Sequence, residues 1–415
     1  MTVLELQEYR RRDAVELSQE QRDSLLRLLP SMSVAPSPEK ENHYDLVPGS
    51  WIGSLQLPGL EVVIRPKFPM EKVLFLVSYA LGGVRLHETD VHLESERSLV
   101  EAIVPGFVHQ VNRALSSGVV QGYREEEASL PTVRGRILFD DQIRKRYGIL
   151  PPIEVRYDDF TEDILLNRLL KAAIFRLRQL SLRSEESRSS LRRFDNALAN
   201  VELVPFAANN VPVAHYTRLN EHYRPAVELA RLILRSTSYE LRQGRVQATG
   251  FLVDMNRVFE DFVYESLREA LRLTEREFVQ GGKGKGLRLD QGGQIPLKPD
   301  LSWWRGRHCL WVGDAKYKKI EGAQVPNADL YQALAYTVAT GLSGATLIYA
   351  AGERPPGTYL VRGIEKFLEV RAVDLAESPQ AILAQVGFIA QDILKGSNPA
   401  GFGRFGSLVV RNPLV

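Results

Sequence analysis

The chain has 415 residues, of which 44% are hydrophobic and 25% charged, with 53 lysines and arginines against 51 aspartates and glutamates. At ~100–200 residues per domain this length holds two or three domains with cores of their own, and the composition excludes a fibrous repeat and a disordered chain. The near-neutral balance excludes a globally basic protein, so any nucleic-acid surface must be a local patch, and the single Cys309 excludes both an intramolecular disulfide and a multi-cysteine zinc site.

Cysteine usage of this kind suits a reducing cytoplasm, and Cys309 itself is expected in a core. The opening stretch MTVLELQEYRRRD is polar and charged rather than basic-then-apolar, so no secretory signal is read there. The longest apolar run, Val73 to Val84, falls short of the ~20 residues a membrane-spanning helix needs. A soluble cytoplasmic protein with no membrane partner is the expectation.

In chain order, Ser18 with Gln21 forms a capping box ahead of RDSLLRLL, and Pro30 ends that helix. Ser31–Asn42 has linker composition. The following YDLVPGSWIGSLQLPGLEVVIRPK alternates apolar and polar residues between two Pro-Gly turns and reads as a β-meander. Helices are predicted over Met70–Leu81 and Glu96–Leu115, the second broken or kinked at Pro105-Gly106. A second β-rich stretch carries TVRGRILFDDQIRKR, and residues 1–150 group as an N-terminal mixed α/β domain.

From Thr161 a 3.6-residue period runs through EDILLNRLLKAAIFRLRQL to RPAVELARLILRS, which defines a helical middle domain over 151–249. In 250–415 a helix, DMNRVFEDFVYESLREALRL, precedes short strands around a glycine-rich turn. The strand run HCLWVGDAK, a helix near Asn327–Thr340 and three more strands complete an α/β sheet of mixed direction.

The chemistry concentrates there. Alternation along a strand puts Asp314 and Lys316 on one face, and a short hairpin through Arg305–Arg307 would return Asp300, fourteen residues upstream, beside Asp314. Paired carboxylates attract a hard divalent cation such as Mg²⁺, which lowers the pKa of bound water and stabilises charge at a phosphorus centre, while the lysine orients that water. Such chemistry cuts phosphodiesters without a covalent intermediate. Glu260 lies on an otherwise apolar helical stripe with Tyr264, Leu267 and Leu271, where a carboxylate calls for a partner. Gln332 and Tyr336 share one face of the later helix.

Each feature has a plainer reading. Asp314 and Lys316 alone would pass for a surface ion pair, and Gln332 and Tyr336 for ordinary packing. Asp329, near a helix start, complements the helix dipole and is left outside the site. The run GGKGKG, 281–286, reads as a flexible loop near a DNA groove rather than a phosphate cradle. Arg134, Arg136, Arg144, Lys145 and Arg146 suit nucleic acid, a partner's nucleotide pocket or simply a solvated face. Arg176, Arg178, Arg183, Arg188, Arg192 and Arg193 suit phosphate contacts only if their acidic neighbours leave them free. No histidine pair has metal-ligand spacing and no nucleophile elbow is present, which disfavours Ser-His-Asp chemistry.

The ordered set of Glu260, Pro299-Asp300, Asp314-Ala315-Lys316 and Gln332/Tyr336 resembles the PD-(D/E)xK nuclease superfamily. The stretches VVIRPKFPMEKVLFLVSYALG, VRGRILFDDQI, YDDFTEDILLNRLLKAAI, VFEDFV and GDAKYK resemble the McrC subunit of McrBC-type modification-dependent restriction systems, over about residues 45–350. That resemblance implies a restriction-endonuclease-like α/β domain with Asp300, Asp314 and Glu260 as metal ligands. Lys316 would assist the attacking water, Gln332 and Tyr336 would support the site, and the cofactor would be Mg²⁺, for which Mn²⁺ can substitute. It further implies a McrB-like AAA+ GTPase hexamer as partner, with the N-terminal part of this chain entering the ring and stimulating hydrolysis, and modified DNA as substrate. The chain carries no GxxxxGK[ST] phosphate loop, so the motor must be another chain. Two alternatives stay open: a stand-alone or differently partnered nuclease in repair or phage defence, and a non-nucleolytic activator of a ring NTPase.

Overall fold

The structure is a computed structural model that describes residues 2–38, 40–80, 99–180, 182–242, 245–318, 325–350 and 357–396. The first third runs β1 (Thr2–Gln7), β2 (Arg12–Glu16), α1 (Gln19–Leu28), β3 (Ser33–Pro36), β4 (His43–Val47), β5 (Trp51–Leu57), β6 (Leu60–Arg65), α2 (Met70–Ala80) and α3 (Leu99–Leu115). The middle holds β7 (Gly122–Leu130), β8 (Arg136–Ile137), α4 (Phe139–Arg146), β9 (Ile153–Thr161), α5 (Leu165–Arg178), α6 (Glu185–Ala197), α7 (Arg224–Ser236), β10 (Thr237–Arg242) and β11 (Arg245–Asp254). The last part holds α8 (Met255–Ala270), β12 (Phe278–Gln280), β13 (Leu301–Arg305), β14 (His308–Lys316), α9 (Asn327–Thr340), β15 (Gly344–Ala350), β16 (Gly357–Leu360), β17 (Phe367–Val373) and α10 (Pro379–Gly396).

These elements form two compact units rather than three consecutive blocks. One comprises Met1–Val3, Gly53–Val62 and His87–Leu252, the other Leu4–Ile52, Val63–Leu86 and Val253–Val415. A division thus falls between Leu252 and Val253, and none falls at 150. Helices α6 and α7 pack on α3, across that expected border, and α5 packs on both of them. Helix α3 also runs unbroken through Pro105. The proline gives up one backbone N–H, but Ile103, Phe107 and Val111 are fully buried, and such burial stabilises by about 2 kcal/mol per side chain. The expected break is therefore outweighed. In the same unit β7, β9 and β8 form a three-stranded antiparallel sheet, with β7 and β9 paired along their whole length from Gly122↔Thr161 to Leu130↔Ile153.

The other unit is organised by a six-stranded sheet in the order β12-β13-β14-β15-β17-β16. Its first strands pair antiparallel, while β14, β15 and β17 run parallel. Parallel neighbours need a crossover, and α9 supplies the one between β14 and β15. Val312, Leu347, Tyr349, Leu368 and Val370 of the sheet bury against Ala333 and Tyr336 of α9. Helices α8 and α10 pack on each other, α8 on β14 and α10 on β17. Cys309 sits half-buried at the margin of the α9-side core, and burial pushes its thiol up to about 12.

The N-terminal signals resolve unevenly. Ser18 caps α1 in a complete capping box with Gln21. The expected meander divides, because β5 and β6 neighbour each other in one sheet while β4 pairs with β2 and β3 in another. Helix α2 matches its expected span, Leu81 lying outside the described residues.

Residues 4–52 and 63–86 share the unit of the large sheet, and one buried cluster shows how they are held there. Glu8, only 2% exposed, accepts the Lys67 backbone N–H at 2.7 Å and the Tyr317 hydroxyl at 2.9 Å. The Lys67 ammonium donates to the Tyr317 carbonyl at 3.0 Å and lies 3.7 Å from the centre of the Tyr317 ring. Burial raises the Glu8 pKa, against the opposing pull of Lys67 and Tyr317. Tyr317→Phe leaves that carboxyl short of a donor and should cost about 1–3 kcal/mol, read as a lower midpoint in urea unfolding. An unchanged midpoint would show the bond to be dispensable.

Candidate active site at the β13 and β14 strand ends

The hairpin places the two aspartates. β13 and β14 pair with Leu301 opposite Gly313, so the next position outward sets Asp300 beside Asp314. Gly306 makes the turn at a φ of 62°, a left-handed conformation that side chains with a Cβ adopt poorly. The Ala315 N–H donates to Asp300 Oδ2 at 3.0 Å, which fixes that carboxylate across the strand pair. Gly313, one residue before Asp314, has no room for a Cβ, which would lie 2.4 Å from the Trp311 ring.

Asp314 is 1% exposed. Its Oδ2 faces the Lys316 ammonium two residues on and accepts no hydrogen bond of regular geometry. The Lys316 ammonium also donates to Gln332 Oε1 at 3.2 Å, and Gln332 Nε2 donates to the Tyr336 hydroxyl at 2.8 Å. That hydroxyl lies 3.2 Å from the Lys298 carbonyl and 3.4 Å from Asp314 Oδ1. The i, i+4 pair on α9 thus reaches both charged groups of β14. Burial depresses the Lys316 pKa, but the charge of the close Asp314 carboxylate more than offsets this, so the value is raised.

Glu260 lies on α8, whose N-terminus is capped by Asp254. Its carboxyl is pushed up to about 7, first by burial and then by the negative charges of Asp261 and Asp314. Asp300 is pushed up to about 8 by burial, then by Asp314 and Glu260. The three acids therefore share one field, and that field is short of positive charge. Two facing carboxylates, the buried one meeting the Lys316 ammonium through Oδ2, are the donor set a hard divalent cation takes alongside water.

The expected three-carboxylate ligand set does not close. Among the described residues no three His, Cys, Asp or Glu are arranged to hold one ion. Glu260 is turned instead toward Gln280, whose Nε2 lies 3.4 Å from Glu260 Oε1 and also donates to Asp261. Gln280 ends the short strand β12, and nothing in its local sequence marks it apart from its place before Gly281-Gly282. Asp329, left outside the site on sequence grounds, is engaged elsewhere, by Tyr349 at 2.6 Å and Lys318 at 2.8 Å.

The basic runs of the other unit are largely spent internally. Arg176 donates to the carbonyls of Leu234 and Phe206, Arg178 pairs with Asp195, and Arg188 and Arg192 pair with Glu185. Arg134 pairs with Asp159, Arg144 and Lys145 with Asp141, and Arg146 with Glu154. No helix among the described residues is long and apolar enough to cross a membrane.

The fold and site together define an α/β chain with paired carboxylates and a lysine at the strand ends of a mixed sheet. Residues 46–350 match the family described as McrBC 5-methylcytosine restriction system component, and the chain belongs to that family. Over 226 residues, half of this chain, it is 22% identical to the type IV methyl-directed restriction enzyme EcoKMcrBC of Escherichia coli K12, of whose length it spans 61%. In fold it is similar, with a TM-score of 0.53 and 18% identity over 94% of this chain and all of the other, to a chain of a Thermococcus gammatolerans assembly of McrB AAA+ hexamers with bound McrC. A chain of the McrBC complex from the same organism aligns with a TM-score of 0.42 and 21% identity over 65% of this chain and 88% of that one.

Proposed function

We propose that this chain is the McrC-like nuclease subunit of a modification-dependent restriction complex, a PD-(D/E)xK endonuclease that hydrolyses DNA phosphodiesters with Mg²⁺ and stimulates a McrB-like AAA+ GTPase. The observation that carries this reading is the juxtaposition of Asp300 and Asp314 on paired strands with Lys316 on the Asp314 face, in a field that holds Asp300 well above the ordinary carboxylate range. Asp300 and Asp314 would hold the cation, and Glu260 adds negative charge beside them. When bound, Mg²⁺ supplies charge neutralisation at phosphate and acidifies a water. Lys316 presents its ammonium to the attacking water and the phosphate oxygens. Gln332 and Tyr336 keep Lys316 and Asp314 in register through the chain of hydrogen bonds along α9.

Partner docking finds support in the β7/β9 ribbon and its connection. Tyr123 and Tyr147 are 77% and 89% exposed, and Phe139, Ile143, Ile149 and Phe160 are exposed as well. A surface so rich in large apolar groups marks a protein interaction site, and it lies in the unit that does not carry the carboxylates. Ring hydrolysis must come from that partner, because this chain has no phosphate loop.

Reconstitution tests the reading. The full chain is mixed with a McrB-like partner from the same source, GTP or ATP, and methylated or unmethylated duplex, with Mg²⁺ or with chelator. Cleavage that needs Mg²⁺, partner and GTP is expected. Absence of metal-dependent cleavage from every combination would sink it, and cleavage without partner or nucleotide would favour a stand-alone nuclease.

A further inference from the structure

Between β12 and β13 the chain makes an excursion, 281–298, whose two feet stand at the candidate site. At one foot the Gly281 N–H donates to the Asp300 carbonyl at 3.0 Å, and the preceding Gln280 touches Glu260 and Asp261. At the other foot the Lys298 carbonyl faces the Tyr336 hydroxyl at 3.2 Å. The excursion is therefore built on the rim of the carboxylate cluster.

It is also an ordered arm, where the sequence suggests a flexible loop. Leu289 donates to the Ile295 carbonyl and Leu297 to the Leu287 carbonyl, each at 3.0 Å, which zips its two sides together. Asp290 closes the tip by accepting the N–H groups of Gln294 and Ile295 at 3.1 and 2.7 Å. At the base, Lys285 reaches the Gly306 carbonyl at 3.4 Å and lies 5.0 Å from the centre of the Trp304 ring, fastening the arm to the β13–β14 turn.

Charge on this arm is unlike that of the chain as a whole. It carries Lys283, Lys285, Arg288 and Lys298 against the single acid Asp290, in a protein whose totals nearly cancel. Asp290 is consumed by backbone N–H groups and Lys285 by its anchor. Lys283, Arg288 and Lys298 are exposed, and among the described residues none has an acidic partner. Exposed cations left unpaired beside a carboxylate cluster suit a polyanion, and counterion release makes such contacts effective on the DNA backbone.

We infer that the arm 281–298 is a DNA-backbone clamp, in which Lys283, Arg288 and Lys298 contact phosphates flanking the scissile one that would lie over the Asp300 and Asp314 site. This rests on the nuclease reading above and adds the surface that positions the substrate. Phosphate contacts set register and carry no sequence information, so the clamp acts on modified and unmodified DNA alike.

The test uses the full chain with Asp314→Asn, so that DNA is not consumed, with and without Lys283→Ala, Arg288→Ala and Lys298→Ala. Fluorescence anisotropy with a labelled duplex of about 30 base pairs is read across a salt series. The expected result is at least about tenfold weaker binding at low salt and a log–log salt slope shallower by about 2–3, since each phosphate left without its cation removes about 0.9. A control lowering net charge elsewhere, Arg10→Ala with Arg12→Ala, should move neither. Equal affinity and equal slope with and without the arm substitutions would overturn the clamp and leave the nuclease reading standing. If the unsubstituted chain and its Asp314→Asn form both fail to bind duplex or single-stranded DNA at low salt, the nuclease reading falls, and the clamp with it.

Discussion

Asp314→Asn should lower DNA cleavage by at least about a thousandfold, equivalent to about 4 kcal/mol of transition-state stabilisation, while leaving folding and partner binding intact. The substitution is nearly isosteric at a residue 1% exposed, so packing survives. It removes one of two facing carboxylates and the ion-pair partner of Lys316 in a single step. Asparagine still offers a carbonyl oxygen to Tyr336, and the α9 contacts should persist. In the reconstituted complex, cleavage of duplex DNA and the partner's GTPase rate are followed in the same tubes. Abolished cleavage with retained GTPase stimulation is expected. Retained cleavage would dismiss the site assignment, and loss of both activities would point to a folding defect or to a different division of labour.

Asp300→Asn should make the metal-free protein more stable at alkaline pH. In the fold the Asp300 carboxyl stands at about 8, whereas an aspartate in an open chain titrates near ~3.9. The folded state therefore binds the proton more tightly. Its stabilising effect is complete below about pH 4 and decays progressively as pH rises toward 8, where burial and the charge of Asp314 act against the ionised form. Asparagine is neutral throughout and its carbonyl can still accept the Ala315 N–H. In chelator at about pH 8.5 the variant should gain on the order of 2 kcal/mol, several degrees in Tm, and the two proteins should converge near pH ~4. Added Mg²⁺ should raise the Tm of the wild type more than that of the variant, because binding to the folded state stabilises it by mass action. A variant less stable than wild type under the alkaline condition would refute the crowded-carboxylate account.

Local features of this protein are written in its local sequence. The Ser18–Gln21 box, the hairpin that sets Asp300 against Asp314, and the α9 pair Gln332 and Tyr336 each depend on residues within fifteen positions of one another. Turn chemistry and side-chain period suffice for those. Long-range assembly is not legible in the same way, because periodicity says which face of a strand is apolar and not which sheet it joins. Hence the alternating pattern strings β4 together with β5 and β6, which join another sheet, and groups residues 4–52 with 99–150, which belong to the other unit. Gln280 carries no signal for the same reason, since its relation to Glu260 exists only once β12 lies beside α8. The arm reads as mobile because glycine and lysine give no periodic pattern, while its order comes from cross-arm backbone bonds and the turns of Asp290. Arg176 of α5 is spent on the carbonyls of Leu234 and Phe206, acceptors remote in sequence, whereas Arg188 and Arg192 of α6 pair with Glu185, an acidic neighbour the sequence already shows.

The cluster of Glu8, Lys67 and Tyr317 bears on whether the part of the chain that holds the paired carboxylates can be excised. Tyr317 follows Lys316 directly, so the end of the strand that presents the lysine is braced by residues synthesised 250 and 309 positions earlier. A fragment beginning at Val253 would keep Glu260 and both aspartates yet leave the Tyr317 ring and hydroxyl without their partners. Trimming the chain through Glu8 would strike the same brace from the other end. The unit that carries the paired carboxylates is therefore threaded through the chain, and its minimal portable form has to include both Glu8, just past β1, and the Arg65–Phe68 corner.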